Sequence, residues 1–383
     1  PNNQTANAEL LRASGSQEPN VFAKNFKFAQ SARLNIGFDF EALGINWTAE
    51  AIYSKTLNDV YYKNLAYEAT GQTFNQLYPE QYWDTRTMMT RTSNNTPFSN
   101  IYGIYNTSKG YTYNLSLKAE KHMNNLDLAA SYTFTRSRAV SSVTSSTAHS
   151  NWRNNHTYGD PNEPKLANSG FNVPHTIKAS AFYHFSLDRN EMFTTTVGLI
   201  YEGHSGAPYS IYNYGDMNGD GYNGNDLFFI PNDEQLDAMP FVDHYNANNQ
   251  IDIPAADQRE NFRAWLQNTP YLRNHRGQYY ERYADNLPFE YHIDFHAAEK
   301  IKFGKGPKAH ALEISLDIMN VANMLNKDWG RSWGSSYMSQ YFSPLTYMGN
   351  GRYQFTGTAN TPLVYPSSYY SRWRGQIGLK YTF

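Results

Sequence analysis

Asp216, Asn218 and Asp220 recur at alternate positions and are followed by Gly221, the pattern D-x-N-x-D-G. Hard cations take oxygen ligands, and this spacing carries three of them round one turn, with glycine where the backbone bends sharply. Tyr222 and Asp226 extend the set. The segment is therefore a candidate calcium loop with Asp216, Asn218, Asp220, Tyr222 and Asp226 as ligands. The closing glutamate of such loops is replaced by Leu227, with Asp226 one residue earlier as the substitute. The competing reading is an Asp/Asn/Gly turn between two strands that holds no ion.

Other chemistry-bearing residues assemble nothing. His292, Asp294 and His296 fall on one face of a strand, which invites a zinc reading. At strand rise the two histidines would stand about 13 Å apart, too far for one ion. They read as polar residues lining a lumen. Gly203-His204-Ser205-Gly206-Ala207 approaches a nucleophile elbow but lacks the last glycine and a following helix. There is no Walker loop and no dinucleotide fingerprint. With no cysteine in the chain, disulfides, thiolate metal sites and cysteine nucleophiles are excluded together. The reading is not an enzyme.

The elements that would position these residues come from composition and period. The chain has 383 residues, 16% aromatic with 32 tyrosines, and only 17% charged. Its 32 basic and 34 acidic residues give a net charge of −2, so nothing points to nucleic acid. A mean hydropathy of −0.69 and the lack of a long apolar run exclude transmembrane helices. Neither excludes a membrane barrel, whose strands alternate apolar and polar residues.

Alternation is what the sequence shows. Tyr111, Tyr113, Leu115, Leu117 and Ala119 interleave with polar residues. After Asn124-Asn125 the pattern resumes through Leu126, Leu128, Ala130, Tyr132 and Phe134. This is a hairpin with a short turn. Similar faces begin at Leu34, Ile45, Ile177, Phe193, Phe289 and Leu312, and the last runs from Trp373 to Phe383. About a dozen strands of roughly ten residues are expected, the length that crosses a bilayer when tilted. Short connections (41–45, 123–126, 186–191, 304–308) alternate with long polar ones (71–100, 139–172, 203–288, 322–371). That asymmetry suits an outer-membrane barrel. Tyr53, Tyr111, Tyr201, Trp373 and Tyr381 near strand ends suit its aromatic girdles. The expected fold class is all-β, a transmembrane antiparallel β-barrel with long extracellular loops.

Several segments carry a family resemblance. Tyr201–Ser210, then Asp216-Met217-Asn218-Gly219-Asp220-Gly221 and Asn225–Pro231, resemble TonB-dependent outer-membrane receptors of the Oar-like branch, kin to the SusC-like transporters. Arg276–Tyr279, Asp317–Asn326 and the closing Arg372–Phe383 are similar to late strands of that group. The motifs cover about the last half of the chain. The resemblance implies a 22-stranded barrel with an N-terminal plug, energised through a TonB-box. No plug or TonB-box is recognisable, so residues 1–383 read as the C-terminal part of such a barrel. The partners implied are the TonB complex, the remaining strands and plug, outer-membrane lipid and a surface lipoprotein. The expected location is the outer membrane of a Gram-negative bacterium.

The function expected is import of a bulky nutrient, a peptide or oligosaccharide. Its alternatives are a passive porin-like or structural barrel subunit of a larger complex, and a soluble sugar-binding β-protein. Loop aromatics Tyr209, Tyr212, Tyr214, Trp333, Tyr337, Tyr341 and Tyr347 are candidate ligand contacts through stacking and hydrogen bonding. Trp373, Ile377, Leu379, Tyr381 and the terminal Phe383 resemble the barrel-assembly signal. Residues 254–268 read as a helix, with Phe262, Trp265 and Leu266 on one face, either packed down on neighbouring loops or part of a ligand or partner surface.

Overall fold

A computed structural model describes residues 18–92, 98–186, 188, 192–303, 310–334 and 341–383. Strand accounts for 51% of the structure and helix for 12%, so the class is mostly β. No helix among the described residues is long and apolar enough to cross a membrane.

Nine long antiparallel strands form one sheet: Gln30–Ala42, Ile45–Asn64, Tyr111–Met123, Leu126–Ala139, His175–Ser186, Phe193–His204, Glu290–Phe303, His310–Met319 and Arg374–Thr382. Spatial order follows chain order, each strand pairing with the next. Among the described residues the sheet does not close, because Gln30–Ala42 and Arg374–Thr382 are each paired on one side only.

Register explains why these sequences pair as they do. Phe40, Trp47, Ala119, Ala130, Ala179, Tyr201 and Ile293 stand opposite one another across seven strands. One residue away, Asp39, Thr48, Lys118, Ser131, Lys178, Glu202 and His292 form the neighbouring row. A slip of one residue in a strand would swap its two faces and bring its polar row into line with the apolar one. The polar rows are also bonded to one another. Thr48 donates to Asp39 at 2.6 Å, Thr135 to Asn114 at 2.7 Å, and Lys178 pairs with Glu202 at 2.9 Å.

The turns follow their chemistry. Leu43 and Gly44 both have positive φ (59° and 68°), the conformation a two-residue hairpin needs. Asn124, at φ 31°, serves the next hairpin. The turns expected at 186–191 and 304–308 fall mostly outside the described residues.

Nothing in the described structure covers the apolar face. Phe38 is 66% exposed, Leu199 49% and Leu379 73%. Packing is instead concentrated in the long connections, all of which leave from the same end of the sheet. Phe74, Ile211, Phe228, Leu236, Phe262, Trp265, Leu272, Leu345 and Phe355 form one buried cluster there. Those connections were expected to be long polar loops, and the structure corrects that picture. Apart from the helical face of Phe262, Trp265 and Leu266, their apolar residues are scattered in short groups without a sustained period, and they meet through long-range folding. The helix Ala255–Asn268 sits in the middle of this cluster, with Phe262, Trp265 and Leu266 all at 1% exposure or less.

Candidate functional site

The Asp216–Asp226 turn follows the strand Pro208–Tyr214 and lies buried where three long connections meet. Its aspartates fold it through backbone donors. Asp216 Oδ1 accepts from the N–H groups of Gly219 (2.8 Å) and Asp220 (3.0 Å), and Oδ2 from Gly221 (2.9 Å). Asn218 Oδ1 accepts from Asp220 N–H at 3.0 Å, and Asp220 Oδ1 from Tyr222 N–H at 2.9 Å. Gly221, at φ +83°, permits the bend, and a Cβ there would lie 2.3 Å from the Tyr67 hydroxyl.

Asp216, Asn218 and Asp220 bond within this turn, the Tyr222 ring packs under Arg153 at 5.6 Å, and Asp226 turns to another partner. Its Oδ1 pairs with Arg86 Nη1 at 2.9 Å and its Oδ2 accepts from Met217 N–H at 2.9 Å. Arg86 also grips Asp84 through Nε at 3.0 Å, and Asp84 accepts from the Tyr279 hydroxyl at 2.7 Å. Arg86 and Asp226 are fully buried. Burial alone would discharge the guanidinium, but Asp84 and Asp226 hold its pKa above the usual arginine value. Burial pushes the Asp220 carboxyl up, and the negative charges of Asp226 and Asp216 push it further. Among the described residues no group of three or more His, Asp or Glu side chains is arranged to hold a metal.

A second feature is a cleft of about 450 Å³ beside the helix Ala255–Asn268. That volume falls in the range of small-ligand sites. Tyr209, Trp265, Asn268, Tyr271, Asp285 and Asn286 line it. The Tyr209 hydroxyl donates to Asp285 Oδ2 at 2.7 Å, and Trp265 Nε1 donates to the Thr361 carbonyl at 3.0 Å. Tyr271 stacks on His275 with ring centroids 4.0 Å apart.

The loop aromatics picked out by sequence do not gather in one place. Tyr209 reaches the cleft but is itself 5% exposed and packed in the core. Tyr212 packs on His156 (5.3 Å), Tyr347 packs on Phe74 (5.9 Å), and Tyr214 is exposed. Trp333 rests against the core cluster, its N–H bound to Glu290. Tyr337 and the Tyr341 side chain lie outside the described residues. Trp265 lines the cleft from the helix that the sequence offered as part of a ligand or partner surface, and Tyr271, to which the sequence assigned no role, joins it from the next short helix, Pro270–Asn274.

The three strand residues stand on the polar face of the sheet. His292 meets Ser332 (3.2 Å), Asp294 accepts from Asn320 N–H (2.7 Å), and His296 bonds Asp317 (2.6 Å). Each has its own partner, so no zinc site forms. Ile377, Leu379 and Tyr381 project from the final strand's apolar face, flanked by Trp373 and Phe383, and all five are exposed. No known protein family model matches the chain, and no curated protein matches it.

Proposed function

We propose that this chain is the C-terminal part of an outer-membrane barrel of the TonB-dependent receptor type, importing a bulky nutrient such as a peptide or an oligosaccharide. The observation that carries the proposal is the uncovered apolar face. Nine strands of 9 to 20 residues turn Phe38, Leu117, Leu199, Ile314 and Leu379 outward with nothing packed on them. A water-soluble sheet would cover such a face, whereas hydrocarbon favours it. The opposite face carries a cross-strand polar network suited to a hydrated lumen.

Two sheet edges with unpaired backbone groups are costly in lipid. Further strands, from the same protein or a partner, complete the cylinder on this reading. The long connections then stand together on the extracellular side, where their buried core makes a preformed rather than a floppy surface. The cleft beside Trp265 and Tyr271 is the ligand-contact candidate, since aromatic faces and amides serve sugars and peptides alike.

The test is uptake of labelled oligopeptides and of labelled oligosaccharides by cells carrying the full-length gene. Uptake lost both on deleting the gene and on deleting TonB agrees with an energised importer. Uptake that needs the gene but ignores TonB fits the passive pore and overturns the importer.

A further inference from the structure

We propose that the Asp216–Asn225 turn binds one calcium ion, and that this ion fastens three of the long connections together. The donors are the carboxylates of Asp216 and Asp220, Asn218 Oδ1, the Tyr222 carbonyl and the Asn225 side-chain oxygen. Two carboxylates with amide and carbonyl oxygens form a hard, mixed oxygen set of the kind calcium takes.

Charge is the first reason. Asp84, Asp216, Asp220 and Asp226 crowd into one region, and the guanidinium that enters it, Arg86, is committed to Asp84 and Asp226. Asp220, 1% exposed, stands among other carboxylates with amides rather than a cation against Oδ2. Such a group is costly to bury unless a positive charge joins it.

Asn225 supplies the second reason, independently of the acidic cluster. It is fully buried, and its Oδ1 has no hydrogen-bond partner. The amide faces the cluster, with Nδ2 2.6 Å from Asp220 Oδ2. A half-turn about its last bond would exchange the nitrogen for the oxygen at that spot. The two atoms are interchangeable in shape, and the network alone decides between them. With a cation present, the oxygen gains a partner and the Asp220 charge is neutralised. Both local deficits are removed by the same ion.

The position explains what the ion would do. The Asn218 carbonyl accepts from Met89 N–H at 2.7 Å, tying the turn to residues 65–101. The Asn225 carbonyl accepts from Thr157 N–H at 2.9 Å, and Arg153 lies over the Tyr222 ring at 5.6 Å, both from residues 140–174. The turn itself belongs to residues 205–289. This inference stands whether or not the strands cross a bilayer.

Calorimetric titration of the purified full-length protein with CaCl₂, after removal of ions with EGTA, tests it. One saturable site is expected, with a dissociation constant on the order of 10⁻⁴ M, typical of extracellular modules. Magnesium should bind much more weakly. Asn225→Ala and Asp220→Asn should each weaken binding by about tenfold or more. Calcium should also slow proteolysis between residues 205 and 230 in the unaltered chain, a readout that needs no variant. Absence of saturable binding up to several millimolar overturns the proposal. So does binding that both substitutions leave unchanged.

Discussion

Arg86 and Asp226 lie 140 residues apart in sequence, and their side chains meet at 2.9 Å with no solvent exposure on either. The pair joins the first long connection, at the residue just before the short strand Thr87–Arg91, to the turn in the third. Asp84 holds the other side of the guanidinium, so one cation serves two carboxylates. Breaking a buried pair by removing one partner costs about 3–5 kcal/mol, because the remaining charge stays buried.

Arg86→Met therefore destabilises the loop assembly by roughly that amount, since two carboxylates lose their cation together. Adding Asp84→Asn and Asp226→Asn to Arg86→Met should restore part of the loss. Urea unfolding followed by tryptophan fluorescence, which reads Trp265 in the core, measures both. A single substitution with no effect would mean that the pair is not buried as described.

Acid should loosen the same region through His156. The ring is fully buried, and burial, with Arg282 nearby, lowers its pKa from 6.5 to about 3. The unfolded chain takes up a proton below pH 6.5, whereas the folded chain resists until about pH 3. Stability is thus present above pH 6.5 and is lost progressively as pH falls through that interval, by up to ~5 kcal/mol. His156→Gln should flatten the fall between pH 6.5 and 4. Melting temperatures across that range read it directly, and an unchanged slope would assign the acid sensitivity to other groups.

Trp265→Ala should cost about 3–5 kcal/mol, as for other large aromatic residues removed from a core. It packs on Phe262 and Phe355 and closes one wall of the cleft. Tyr271→Phe, which keeps the ring, should leave stability nearly unchanged. If the cleft contacts cargo through that hydroxyl, uptake falls several-fold while the melting temperature holds. Uptake unchanged by both Tyr271→Phe and Tyr271→Ala would move the ligand surface elsewhere.

How much of this was readable in the chain depends on range. The hairpin Tyr111–Ala139 was fully visible, because its period and its Asn-Asn turn are local properties. The strand Ile45–Asn64 was read only to Ser54, since Asn58-Asp59 and Tyr61-Tyr62 break the alternation beyond it. There the strand leaves its sheet neighbour Tyr111–Met123 and pairs with Tyr102–Thr107. The helix Ala255–Asn268 was legible from Phe262, Trp265 and Leu266. Arg86 was not, for nothing within its neighbourhood in sequence reveals a partner at Asp226. The acidic turn was legible as a motif, whereas the diversion of Asp226 to that arginine was a tertiary fact. Asn225 adjoins the motif but falls outside its alternating spacing.

Charge placed on the two faces of one strand should separate them energetically. Leu117→Arg, facing out near mid-strand, should cost about 2–4 kcal/mol if that face meets the bilayer midplane. Ser116→Arg, one residue away on the hydrophilic face beside Glu50 and Thr133, should cost much less. Denaturant titration in lipid vesicles compares them. Equal penalties would mean that both faces see the same medium.

The most direct measurement uses the absence of cysteine in the native chain. Single cysteines placed in turn at Tyr113, Asn114, Leu115, Ser116, Leu117 and Lys118 can be spin-labelled in the vesicle-embedded protein. Collision rates with oxygen, which concentrates in lipid, and with a water-soluble nickel chelate then report each position's surroundings. A lipid-facing sheet predicts a strict two-residue period, with oxygen favoured at 113, 115 and 117 and nickel at 114, 116 and 118. Uniform access to nickel at all six positions, in protein that stays dispersed without detergent, would contradict it.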